Sequence, residues 1–241
     1  MKRGFTLAEV LITLGIIGIV AAMTLPSLIN TYKVKALETQ FKTVDSILNQ
    51  AILKTSDEVG MDLKDLRLSG AATDGGRGQA FKDLKAQVPA INDAWVRQFK
   101  GATRFTGNEF YFHVIVHGLN CHGMMGETLS GCPVAEGYIL PNGAMITKWS
   151  ANVNGSTFPA YVAFSFDTNG PFKGPNRWGY DIFTYNSADD GFNSLCNPTL
   201  HHSESNKGCY RFAHKNKNPI KDSKPYWDML YKPLSYWQSE K

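Results

Sequence analysis

MKRGFTLAEVLITLGIIGIVAAMTLPSLINTY, residues 1–32, decides how the rest of the chain is read. After Lys2 and Arg3 the only charge before Lys33 is Glu9, so residues 10–32 are 23 consecutive uncharged positions. A helix rises about 1.5 Å per residue, so this run reaches roughly 34 Å, enough for a hydrocarbon core of about 30 Å. Lys2 and Arg3 on the short leading side favour a cytoplasmic N-terminus, with the bulk of the chain on the other side of the membrane.

Glu9 separates the readings of this segment. A carboxylate inside an apolar run costs about 2.5–3.5 kcal/mol even on the lenient insertion scale. A secretory signal peptide cut near Ala21–Ala22 has no use for it, and neither does a plain single-span anchor. Gly4-Phe5-Thr6-Leu7-Ala8-Glu9 resembles the cleavage and methylation signature of the type IV pilin family, which includes the type II secretion pseudopilins. The resemblance implies that a prepilin peptidase cuts after Gly4 and N-methylates Phe5. It implies that Glu9 meets the N-terminal amine of a neighbouring subunit as helices pack into a filament. An ammonium and a carboxylate that are each costly in lipid neutralise one another there. The family's helix-bending proline is matched by Pro26, which lacks a backbone donor and is expected to kink the helix.

The resemblance divides the chain into a leader at 1–4, a transmembrane and assembly helix at 5–32, and a globular domain at 33–241 outside the cytoplasm. It implies an α+β fold in which a long N-terminal helix packs on an antiparallel β-sheet. The implied partners are the prepilin peptidase, other pilin or pseudopilin subunits, an inner-membrane assembly platform and the membrane itself. The implied role is a structural, non-enzymatic subunit of a pilus-like or pseudopilus filament. The alternative is a minor pilin whose domain captures DNA, glycan or a secreted substrate. The domain exceeds what a major pilin needs, which favours a minor or specialised subunit.

Past Pro26, Val34, Leu37, Phe41, Val44, Leu48 and Ala51 recur at helical spacing, so the helix is expected to continue as an amphipathic one to about Lys54. Met61, Leu63, Leu66 and Leu68 suit either a short helix or a strand. Phe81 to Val88 suggests a helix ending before Pro89, and Ala94 to Phe99 another. From Phe110 to Val116 the pattern turns aromatic and β-branched. Tyr138 to Leu140 and Ala144 to Trp149 flank Pro141-Asn142-Gly143, a hairpin signal. Tyr161 to Phe166 and Tyr180 to Tyr185 read as two further strands.

Four cysteines, Cys121, Cys132, Cys196 and Cys209, would lie in an oxidising space if the domain is exported. Of the three possible pairings we favour Cys121–Cys132 with Cys196–Cys209, which close local loops. Zinc is the rival, since His117, His122, His201 and His202 lie nearby in sequence. Only His113-x₃-His117 offers a ligand-like spacing, and it falls on an expected strand.

Asp167-Thr168-Asn169-Gly170 begins a stretch, D-x-N-G-x₃-G-P-N-x₂-G-x-D, that ends at Asp181. It looks like a loop recurring between two late strands of pilin-like proteins. Asp167, Asn169 and Asp181 offer hard oxygen ligands for Ca²⁺, which some pseudopilins bind in a late loop. The plainer alternative is a network of Asx turns with glycine supplying positive φ. No cofactor other than this calcium is expected.

Composition sets the outer bounds. The 241 residues carry 25 Lys+Arg against 21 Asp+Glu, 43% hydrophobics and 12% aromatics, which excludes a disordered tail or a coiled-coil rod. A net charge of +4 is too mild to point to nucleic acid. A mean hydropathy of −0.25 argues against a polytopic membrane protein. The catalytic patterns G-x-S-x-G and H-E-x-x-H are missing, as are Walker and Rossmann glycine loops. Tyr226, Trp227, Tyr231, Tyr236 and Trp237 make the tail aromatic, in the manner of a strap over the core or a stacking surface.

Overall fold

The computed structural model describes residues 6–68, 78–105, 137–153, 160–170, 173–175, 178–187, 196, 209–220 and 224–232. Helix α1, Leu7–Val59, contains 53 residues and dominates them. Thr6 caps it in a reciprocal box with Glu9, and Gly60 ends it at φ 66°, a left-handed conformation that glycine adopts without a Cβ penalty. Its two halves live in different environments. The most apolar eighteen-residue window has a mean hydropathy of 2.2 and none of it is buried. From Leu37 the stripe of Phe41, Val44, Leu48, Ala51 and Ile52 is buried. The helix runs beyond the expected end at Lys54 because Ile52 and Thr55 still face the core.

Helix α2, Gln79–Arg97, corrects the expected pair of short helices, for Pro89 lies inside it. Pro89 is solvent-exposed, so the carbonyl that loses its partner, that of Lys85, lies on the wet side where water can serve it. Phe81, Leu84, Ile91 and Trp95 form one buried face on both sides of the proline, and that packing carries the helix through.

Six strands follow: β1 Thr103–Phe105, β2 Gly137–Ile139, β3 Met145–Thr147, β4 Ser150–Val153, β5 Ala160–Asp167 and β6 Ile182–Asn186. All pairings between these described strands are antiparallel. The β2–β3 hairpin turns at Asn142-Gly143 as expected, with Gly143 at φ 87° and the Ala144 amide donating to Asn142 Oδ1 at 3.0 Å. Strand β5 is central. Its first half pairs with β4 (Ala163↔Ser150) and its last residues with β3 (Asp167↔Met145), so β3 and β4 share one edge. β6 takes the opposite edge, from Ala163↔Asn186 to Asp167↔Ile182. The expected strand beginning at Tyr180 therefore starts two residues later. Met61 to Leu68 forms neither a helix nor a named strand; Leu68 makes one isolated bridge to Ala160.

Even-numbered residues of β5, Ala160, Val162, Phe164 and Phe166, face the helices, while Tyr161 and Ala163 face away. The period-2 pleat of a strand produces this split. Phe41 of α1 meets Phe183 at 4.7 Å, and Trp95 of α2 meets Phe164 at 4.9 Å between ring centroids. Both helices therefore cover the same face of the sheet. Helix α3, Cys209–Lys215, follows the Cys196–Cys209 disulfide. A 3-10 turn, Trp227–Met229, then straps back onto α1, with Tyr226 and Trp227 buried. That is the strap arrangement for these two rings. Phe110 to Val116, Cys121, Cys132, the flanking histidines, Tyr236 and Trp237 lie outside the described residues.

Candidate functional site

The amino-terminal end of α1 is built from Thr6 and Glu9; Gly4 and Phe5 lie outside the described residues. The Thr6 amide and hydroxyl both donate to Glu9 Oε2 at 2.8 Å, and the Glu9 amide donates to Thr6 Oγ1 at 3.3 Å. Glu9 is exposed, and among the described residues its Oε1 has no partner. One carboxylate oxygen thus caps its own helix, and the other stays available on an apolar surface.

The rest of the segment is adapted to the same setting. Thr13, Thr24 and Thr31 donate their hydroxyls to the carbonyls of Val10, Val20 and Ser27 at 2.9 Å. Such back-bonding leaves no hydroxyl proton unsatisfied in an apolar medium. Pro26 sits within α1, which continues through it without a break.

The second place is the loop between β5 and β6. Asp167 ends β5 and Asp181 precedes β6, so strand pairing closes the loop at its two acids. Both are fully buried, Thr168 and Asn169 nearly so. The Thr168 amide donates to the Asp181 carbonyl at 2.8 Å. Asp167 Oδ1 accepts the amides of Asn169 at 3.0 Å and Gly170 at 2.9 Å, the Asx turn foreseen from the sequence. Asn169 Nδ2 donates to the Gly174 carbonyl at 3.2 Å.

Three oxygens remain. Asp167 Oδ2, Thr168 Oγ1 and Asn169 Oδ1 are buried with no hydrogen-bond partner among the described residues. Buried polar atoms are normally paired, and such a set calls for a ligand, a proton or water. Burial, and then the charge of Asp181, push Asp167 well above the usual carboxylate range, against the two amides that pull it down. A cation would reverse that cost, and the donor set of carboxylate, amide and hydroxyl oxygens fits a hard one such as Ca²⁺. The loop thus brings together all three residues singled out for calcium and adds Thr168, a hydroxyl between two candidate ligands that the acid-and-amide pattern passes over. No group of three or more His, Cys, Asp or Glu side chains lies together among the described residues.

Gly170 seats the loop. Its φ is 83°, and a Cβ there would run into the Gly143 carbonyl of the β2–β3 turn. Cys196 and Cys209 are bonded to each other, with Cα atoms 4.6 Å apart, which removes both thiols from any zinc site. A third cluster carries no sequence signature: Asp45 of α1 accepts the Tyr210 hydroxyl at 2.7 Å and faces His214 Nδ1 at 2.8 Å.

Against known proteins, residues 1–25 match the family described as the prokaryotic N-terminal methylation motif. No curated protein matches the chain, and no solved structure does. The match covers the same stretch that holds Gly4, Phe5 and Glu9 and that leaves α1 bare of protein contacts. By that motif the chain carries the type IV pilin and pseudopilin signature, the mark of a pilin-like structural subunit processed by prepilin peptidase for a filament.

Proposed function

We propose that this protein is a minor or specialised subunit of a type IV pilus or of a type II secretion pseudopilus. Before assembly, residues 5–32 hold it in the cytoplasmic membrane with residues 33–241 outside. The observation that carries this reading is the division of α1: one unbroken helix is wholly exposed where it is apolar and buried where it is amphipathic. A soluble protein would pay heavily for such an exposed face. Lipid covers it first and neighbouring subunits' helices later, with the assembly platform making the transfer. Glu9, with one oxygen engaged by Thr6, pairs through the other with a neighbour's amine. Glu9→Ala tests the role: processing at Gly4/Phe5 should proceed while incorporation into filaments fails. Normal incorporation would sink the reading.

A second reading concerns the β5–β6 loop, where the unpaired buried oxygens favour calcium. Bound Ca²⁺ would supply positive charge to Asp167 and Asp181, with Asn169 and Thr168 completing the shell. Only two carboxylates contribute, so binding belongs to the weaker range, about 10⁻⁴–10⁻³ M. Saturating calcium should raise Tm, and Asp167→Asn should abolish the rise. No shift at millimolar calcium would leave the loop an Asx-turn network with a protonated acid. The second cysteine pair, Cys121–Cys132, belongs to the same exported-domain reading and is checked by non-reducing mass spectrometry.

A further inference from the structure

The chain's basic excess is concentrated at its end. Residues 207–241 carry eight Lys/Arg and three Asp/Glu, a net +5 in a chain whose total is +4. The rest of the protein is therefore slightly acidic. Of its described rings, Tyr226 and Trp227 are buried in the core, while Tyr231 is only partly buried, in the position of the amphipathic rings that populate membrane–water interfaces.

The fold takes part of this segment to one particular level. The strap returns to α1 and leaves a cleft of about 600 Å³, walled by Ser27, Asn30 and Thr31 on one side and Lys224, Tyr231 and Lys232 on the other. Along a helix, Leu7 to Ile29 measures about 33 Å, a little more than the hydrocarbon thickness of about 30 Å. Ser27 to Val34 thus falls in the headgroup layer, about 10 Å deep at helical rise. Lys33 reaches over the Tyr231 ring, 5.9 Å from its centroid. Tyr231 is fixed by an edge contact with Tyr180 at 5.0 Å, and its amide donates to the Tyr180 hydroxyl at 3.3 Å. Its φ of 59° is unusual for a bulky residue. Asp228 also lines the cleft, opposite in charge to Lys224 and Lys232.

We propose that this cleft seats the phosphate of an anionic phospholipid of the outer leaflet, clamping the globular domain to the membrane surface before assembly. The proposal rests on the membrane reading of α1. Lys224 and Lys232 supply the charge, Asn30 and Thr31 the neutral polar groups, and Tyr231 the amphipathic wall. The exposed apolar surface of the helix runs through Leu28 and Ile29, and the cleft's polar wall from Ser27 to Thr31 overlaps its end, which sets the cleft at the level of lipid headgroups.

The test uses full-length protein in neutral detergent, titrated with phosphatidylglycerol or phosphatidylcholine and followed by native mass spectrometry. Phosphatidylglycerol should bind in preference. Each lysine near an anionic surface is worth about fivefold, so K224Q/K232Q should weaken phosphatidylglycerol on the order of twentyfold and leave phosphatidylcholine unchanged. The control K54Q/K215Q lies higher on the domain, since Lys215 follows the His214 that contacts Asp45, about 20 Å farther along α1; it should keep the preference. Equal binding of both lipids, or an equal loss in the control, overturns the proposal. Full competition by glycerol phosphate would instead make this a soluble-phosphate site, and lipid-independent dimers lost in K224Q/K232Q would make it a contact between copies. Flotation with phosphatidylcholine vesicles at high salt checks the membrane reading separately: protein that floats without a lipid preference refutes the cleft alone.

Discussion

His214 Nδ1 lies 2.8 Å from Asp45 Oδ2 while the Tyr210 hydroxyl donates to Asp45 Oδ1, so two residues one turn apart on α3 grip a single acid of α1. The hydrogen bond to Asp45 raises the His214 pKa above 6.5, with burial opposing. The pair's contribution to stability is therefore fully present below 6.5 and is lost as pH rises above 6.5 through the raised folded-state value. The Tm gap between wild type and His214→Gln should be largest below pH 6.5 and narrow as pH rises through the raised folded-state value. The pair is partly exposed, so about 0.5–1 kcal/mol is at stake. A gap independent of pH would contradict the assignment.

Asn92 joins α2 to the bend between β3 and β4. Its Nδ2 donates to the Trp149 carbonyl at 3.0 Å and its Oδ1 accepts the Trp149 amide at 2.7 Å. Asn92→Ala strands two buried backbone groups at about 1–3 kcal/mol each. Together that is about 2–6 kcal/mol, so thermal melting should show a loss of roughly 4–24 °C for a domain of this size. A loss below about 2 °C would mean that water replaces the side chain.

Gly170 and Gly143 both have positive φ, but only at Gly170 would a Cβ clash with backbone; at Gly143 the nearest atom is the Asn169 carbonyl oxygen at 3.9 Å, an ordinary contact. Gly143→Ala should cost about 1–2 kcal/mol, the ordinary left-handed penalty. Gly170→Ala should cost more, about 2–4 kcal/mol, because the Gly143 carbonyl must also move. Chemical denaturation of the two variants gives the order directly; equal losses would contradict the contact.

Features that rest on local chemistry were legible in the sequence. The uncharged run and the lone Glu9 mark the stretch that matches the methylation motif, and the 3-and-4 spacing from Val34 to Ala51 marks the buried face of α1. Asn142-Gly143 located its hairpin because a turn's φ requirement is written in two residues. Asp167, Asn169 and Asp181 were singled out as oxygen donors, and the strand register then set both acids at the loop's base.

Features that depend on distant partners were not legible. Pro89 reads as a helix stop until one sees that its face is wet and that Phe81 and Trp95 share the other. Asn92 looks like a surface polar residue, and its partner is a backbone 57 positions away. Asp45, Tyr210 and His214 meet across more than 160 residues. The strap's return to Ser27–Val34 likewise follows from tertiary packing of Tyr226 and Trp227, which composition identifies only as aromatic.

Entry into a filament turns on what happens at Gly4. Purified from its native membrane, the mature protein should begin at Phe5 when its N-terminus is sequenced, and intact mass should show that residue carrying one N-methyl group. A mature chain beginning near Met23, after a cut at Ala21–Ala22, would contradict the filament-subunit account.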